Sequence, residues 1–169
     1  AIGNPPYAKL KDKSKEMLSR LEENVNRETN DLAAFFLEKC MRIADYTALV
    51  LNKTILSNGE YRLTRELLTK VCIDKIIDFG RYGFSELSIE TIALMVDVKK
   101  RPGETFIKNL RYNISLSQKQ SYITDSQYPY YIIYRNGEFD TVASKLEFNV
   151  FDVFRDRQIT KKNTISENK

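Results

Sequence analysis

A chain of 169 residues that is 42% hydrophobic suits one compact domain, or one and part of another, and its expected class is soluble and globular. With 27 Lys and Arg against 23 Asp and Glu, the net charge of +4 permits a polyanionic partner without requiring one. Histidine is absent, which removes the commonest general base and metal ligand; histidine-based triads and most zinc sites are excluded, and no metal is expected.

Cys40 and Cys72 are too few for a disulfide framework and sit among apolar residues, where reduced core thiols are expected. No apolar run approaches a membrane span and no charged-then-apolar leader opens the sequence, so the expected compartment is the cytoplasm.

The first feature in chain order is Asn4-Pro5-Pro6-Tyr7. Proline fixes its own φ, biases the preceding residue toward extended geometry and has no N–H, so this is a stiff turn with carbonyls facing outward. The Asn4 side chain adds a second acceptor, and two acceptors side by side suit the two hydrogens of one exocyclic amine. Tyr7 offers an aromatic face to the ring carrying that amine. The plainer reading is loop punctuation.

Residues 8–28 are densely charged and read as a solvated, mobile segment, partly helical between Met17 and Val25. A helix is expected from Asn30, capped by Asn30 or Asp31, with Leu32, Phe35, Phe36, Cys40 and Ile43 on one face. Residues 46–52 ("YTALVLN") read as a buried strand without alternation, hence a sheet covered on both sides. Ser57, three residues before Glu60, suggests a reciprocal cap on a second helix whose stripe is Leu63, Leu67, Leu68 and Val71. Residues 73–80 and 91–98 read as strands joined by an irregular stretch. The alternation predicts a layered α/β sheet with an antiparallel pair at its edge. Beyond Lys100, "RPGETF" marks a turn, and residues 105–155 mix strand-like pieces ("YYIIY", "LEFNVFDVF") with an Asn136-Gly137 turn. The basic run holding Arg155, Arg157, Lys161 and Lys162 reads first as a solvated tail.

"GNPPY" resembles the catalytic motif of S-adenosylmethionine-dependent amino-methyltransferases, most closely the DNA adenine N6-methyltransferases of bacterial restriction-modification systems. The subgroup includes single-chain enzymes that also carry a nuclease. The likeness continues in order through "NDLAAFFLEKCMRIA", "YTALVLNKTIL", "RLTRELL" and "IIDFGRYGFSELSIETIALMV", covering about residues 1–100. It implies an α/β fold: the C-terminal half of a Rossmann-like methyltransferase sheet, with flanking helices and a final antiparallel hairpin, in residues 1–100. A small mixed extension at 101–150 would connect to the start of a target-recognition domain at 151–169.

The resemblance also implies roles. Asn4 and the main-chain carbonyl of Pro5, held by Pro6, accept from the adenine amine, and Tyr7 stacks on the flipped base, which Phe84 faces from the other side. Phe36 matches a position packing on the adenine of S-adenosylmethionine, and Arg155, Arg157, Lys161 and Lys162 would contact phosphates of double-stranded DNA. For Phe36 and Phe84 the plainer reading is core packing. The family's glycine-rich cofactor loop and ribose-binding acid are not in this sequence. The expectation is therefore a fragment, inactive alone, whose open sheet edge invites self-association. Asn52 stands where many relatives have proline. The alternatives are the same chemistry on a glutamine amide of a protein or an RNA amino group, and a non-catalytic DNA-binding or assembly module.

Overall fold

The computed structural model describes residues 1–11, 16, 25–81, 89–147 and 150. Six strands form one mixed sheet: β1 (Ile2–Gly3), β2 (Tyr46–Asn52), β3 (Cys72–Gly80), β4 (Thr91–Asp97), β5 (Glu104–Asn109) and β6 (Ile114–Lys119), in the order β1-β2-β4-β3-β5-β6. Among the described residues the helices are α1 (Leu32–Ile43), α2 (Arg62–Leu68), α3 (Gln120–Ile123) and α4 (Gly137–Ala143). The sheet and the first three helices lie in the compact unit Ala1–Asn136, and α4 lies in a second unit, Gly137–Lys169.

β1 runs parallel to β2, β2 and β3 each run antiparallel to β4, and β3 runs parallel to β5. The C-terminal ends of β1, β2, β3 and β5 therefore open on the same edge, where ligands bind in open α/β sheets. The centre is apolar and closed: Ile73, Ile76, Ile92, Leu94, Val96 and Ile107 are all 0% exposed. Each contributes roughly 2 kcal/mol by leaving water.

Strand β2 falls where the sequence places it, and β3 and β4 begin or end one residue from the expected bounds. The β3–β4 hairpin, however, is not at the sheet edge. β4 inserts between β2 and β3, and the free side of β3 is taken by β5, whose Thr105 and Ile107 are buried. Burial also alternates along β2, with Thr47, Leu49 and Leu51 buried and their neighbours only partly so. One face is therefore fully covered and the other incompletely.

Helix α1 starts where expected, because the Asp31 carboxylate accepts from the Ala33 N–H at 2.8 Å. Its buried face is rotated from the expected one, comprising Ala33, Ala34, Leu37 and Glu38, while Phe36 is 43% and Ile43 68% exposed. Two alanines let the helix approach the sheet closely. Buried Glu38 is satisfied by the N–H groups of Val25 and Asn26 and by Arg42. Charge here marks a clasp on the preceding segment.

The expected Ser57 cap is corrected too. Asn58 accepts from the Glu60 N–H and opens a 310 turn, Gly59–Tyr61, that leads into α2. An Asn side chain two residues from the N–H makes a tighter turn than serine three away. Along α2 the buried residues are Thr64, Arg65 and Leu68, with Leu63 and Leu67 half-buried. Arg65 is tolerated inside because its guanidinium donates to the carbonyls of Ile55, Asn58 and Pro129.

"YYIIY" is not a strand. It is a strap tied by single bonds, Tyr131 N–H to Leu56 at 2.9 Å and Ile132 N–H to Ile123 at 3.1 Å. Pro129, just before it, has no N–H to give a ladder. Gly137 begins α4 instead of completing a hairpin turn. Most of "LEFNVFDVF" and of the charged segment 8–28 lies outside the described residues. Both cysteines are free, Cys72 buried and Cys40 half-buried. No described helix is long and apolar enough to cross a membrane.

Candidate active site

The Asn4–Tyr7 turn leaves the C-terminal end of β1 and is held from both sides. Before it, Ile2 and Gly3 pair with Ala48 and Leu49, the Ala48 N–H donates to Ala1, and the Ala1 nitrogen donates to the Tyr46 carbonyl at 2.6 Å. After it, the Leu10 N–H donates to Asn30 and the Leu32 N–H to Ala8, stitching the outgoing chain to the start of α1. A stiff turn clamped at both stems keeps its shape without an internal ladder.

Within the turn, Pro5 is buried while Asn4 and Pro6 are exposed. Neither the Asn4 side chain nor the Pro5 carbonyl has a hydrogen-bond partner among the described residues. Tyr7 is half-buried, and its hydroxyl donates to the Val50 carbonyl at a long 3.4 Å. Burial first, then the nearby Asp31 carboxylate, raises the Tyr7 phenol above its ordinary pKa, so it stays neutral. Asp31 itself is satisfied by the Ala33 N–H and the Tyr61 hydroxyl.

Further along the same edge lies a polar cluster that sequence reasoning missed. The Asp78 carboxylate, 0% exposed, accepts from Lys53 at 2.8 Å, Tyr134 at 2.7 Å and Asn109 at 3.3 Å, and its other oxygen takes the Gly80 N–H at 2.9 Å. Gly80 sits at φ +57°, a left-handed conformation that favours glycine. Burial alone would raise the Asp78 pKa, but these donors outweigh it and hold it below the carboxylate range. Burial likewise opposes the Lys53 charge, yet Asp78 and Glu90 keep its pKa above the usual value. The sequence signal was an aspartate after two isoleucines in a strand, two residues before a glycine.

Phe36, on the exposed side of α1, presents aromatic surface and is not core. Phe84, Arg155, Arg157, Lys161 and Lys162 lie outside the described residues. The described residues include no group of three or more His, Cys, Asp or Glu able to hold a metal ion.

The turn, its clamps and α1 fall within one matched segment. Residues 1–84 match the Eco57I restriction-modification methylase family. The matched segment begins three residues before Asn4 and ends at Phe84. No curated protein matches the chain at a significant level. Among solved structures, the chain is similar to a modification subunit of a putative type I restriction enzyme from Vibrio vulnificus, at 19% identity and TM-score 0.52, over 64% of this chain and 24% of that one. It is also similar to a putative class I S-adenosylmethionine-dependent methyltransferase from Listeria monocytogenes, at 20% identity and TM-score 0.50, over 64% of this chain and 35% of that one. A third is DrdV, solved in complex with DNA, at 16% identity and TM-score 0.50, over 64% of this chain and 14% of DrdV.

These likenesses are of fold, and they bear out the expected α/β class: a mixed sheet with flanking helices in the Rossmann-like methyltransferase manner. The sequence spans 24%, 35% and 14% of the three solved chains, so it corresponds to a minor part of each.

Proposed function

We propose that the matched segment is the amine-gripping part of a DNA adenine N6-methyltransferase of a restriction-modification system, working in the cytoplasm on double-stranded DNA. The observation that carries this reading is the pair of unpartnered acceptors, the Asn4 side chain and the Pro5 carbonyl, on a clamped proline turn at the functional edge of a methyltransferase sheet. Pro5 is buried, where a carbonyl is normally satisfied, and its open acceptor beside the exposed Asn4 side chain suits a ligand with paired donors.

S-adenosylmethionine suits the residues present: Phe36 offers an exposed ring for its adenine, and its bound sulfonium supplies an electrophilic methyl group. The chain's own residues supply position. Asn4 and Pro5 each accept one hydrogen of the adenine amine, which favours a pyramidal nitrogen with its lone pair free for in-line attack. Tyr7 stacks on the extruded base, and Phe84 faces it from the other side. Pro6 fixes the main chain that aims the Pro5 carbonyl. The amine proton departs after transfer, when the nitrogen carries the positive charge, so no histidine base is required. Each oriented acceptor is worth on the order of 3 kcal/mol in the transition state, about a hundredfold in rate. Arg155, Arg157, Lys161 and Lys162 contact DNA phosphates in this reading. The outer edge of β1 has no strand partner among the described residues, which supports its pairing with a further strand from elsewhere in the protein or from a second copy.

The test is methyl transfer by the intact protein, as its gene encodes it, from labelled S-adenosylmethionine to DNA, RNA and protein acceptors. Label in DNA, recovered as N6-methyladenine, is expected. Label only in RNA or in a protein amide, or in none of the three, overturns the reading.

A further inference from the structure

We propose that the β5–β6 turn is a second contact to duplex DNA, made by Arg111 and Tyr112 to the sugar-phosphate backbone about half a helical turn from the reacting base. The proposal rests on the methyltransferase reading and adds the element that seats the substrate.

Three observations carry it. The first is placement. β5 runs parallel to β3, so its turn emerges on the same edge as the Asn4–Tyr7 corner. β1 and β5 are four strand spacings apart, which at about 4.8 Å each gives roughly 20 Å. Duplex DNA rises 3.4 Å per step and repeats at about 34–36 Å, so DNA along this edge meets the turn roughly six base pairs from the corner.

The second is surface chemistry. Leu110, Tyr112 and Ile114 are exposed at 46%, 62% and 45%, an unusual concentration of large apolar groups at a hairpin tip. Arg111 lies 5.1 Å from the Tyr112 ring centre. Among the described residues neither Arg111 nor Lys108 forms an ion pair, and no acid lies between Lys108 and Ile114. A guanidinium without an ion-pair partner beside an exposed ring presents charge and a flat face to a polyanion.

The third is rigidity. The Leu110 N–H donates to the Asp78 carbonyl at 3.0 Å, the Tyr112 N–H donates to Asn109 Oδ1 at 3.0 Å, and Asn113 takes φ +50°. Asn109 also donates to Asp78 and to the Tyr134 hydroxyl. The exposed tip is thus anchored on the buried cluster, so little ordering is needed on binding.

The experiment is binding of a short mixed-sequence duplex by the intact protein across a salt series, with methyl transfer measured in parallel. Arg111→Ala is expected to weaken binding about tenfold and to lower the slope of log affinity against log salt by about one, with Arg111→Lys restoring the slope. Tyr112→Ala is expected to weaken binding several-fold with the slope unchanged. Both side chains are exposed, so melting temperatures should match wild type. If wild type methylates DNA while Arg111→Ala and Tyr112→Ala keep its affinity and slope, the hairpin contact is overturned and the methyltransferase reading stands. If wild type neither binds nor methylates DNA, the underlying reading fails and the contact with it.

Discussion

One edge of one sheet carries two polar sites of opposite character. At β1, Asn4 and Pro5 hold acceptors that nothing among the described residues fills. At β3 and β5, Asp78 has four donors and its neighbour Asn109 is bonded on both sides of its amide. Hydrogen bonding separates them: a closed network fixes structure, while an open one on a rigid support awaits a ligand. Ionisable residues alone would have pointed to the wrong site, since Lys53 and Asp78 have shifted pKa values and Asn4 does not titrate.

The comparison breaks most visibly at Asp78. Removing its carboxylate leaves the Gly80 N–H, the Tyr134 hydroxyl and the Asn109 amide without this buried acceptor and Lys53 with Glu90 alone, and Asp78→Ala should cost about 3 kcal/mol in denaturant unfolding. A loss under about 1 kcal/mol would mean the cluster does not hold the edge together. Because the folded pKa of Asp78 lies below the unfolded value of about 3.9, its contribution is present above that pH and lost as pH falls through the folded value. Wild-type stability should therefore drop below about pH 4, and Asp78→Asn should flatten that drop.

A smaller effect tests whether the same rule extends to the opposite edge. Gln120, 1% exposed, accepts from the Ile73 N–H at 2.8 Å and donates to the carbonyls of Leu68 and Val71. Gln120→Ala should cost about 2 kcal/mol by leaving these groups unpaired, with methyl transfer per folded molecule unchanged. The smallest effect is expected at the open site's flank. Phe36→Ala should raise KM for S-adenosylmethionine about fivefold, near 1 kcal/mol, with kcat and melting temperature almost unchanged. A large fall in stability would instead make Phe36 a packing residue.

Much of this was legible from residue order. The proline turn, β2, the start of α1 and the β3–β4 pairing follow from local patterns, because each rests on contacts close in sequence. What depended on long-range pairing was not. Nothing in "TFI" says that it will add to β3, and that addition moves the hairpin to the centre and brings Asn109 to Asp78 across 31 positions. The rotated face of α1 was lost because large side chains were counted as core, whereas Ala33 and Ala34 are what close approach to the sheet requires.

The central claim concerns Asn4, and single-turnover methyl transfer by the intact protein carrying Asn4→Ala addresses it most directly. Asn4 is exposed and without a side-chain partner among the described residues, so the variant should melt with wild type. The account predicts N6-methyladenine formed about a hundredfold more slowly at that unchanged melting temperature. Transfer at the wild-type rate would contradict it, leaving the corner a turn and nothing more.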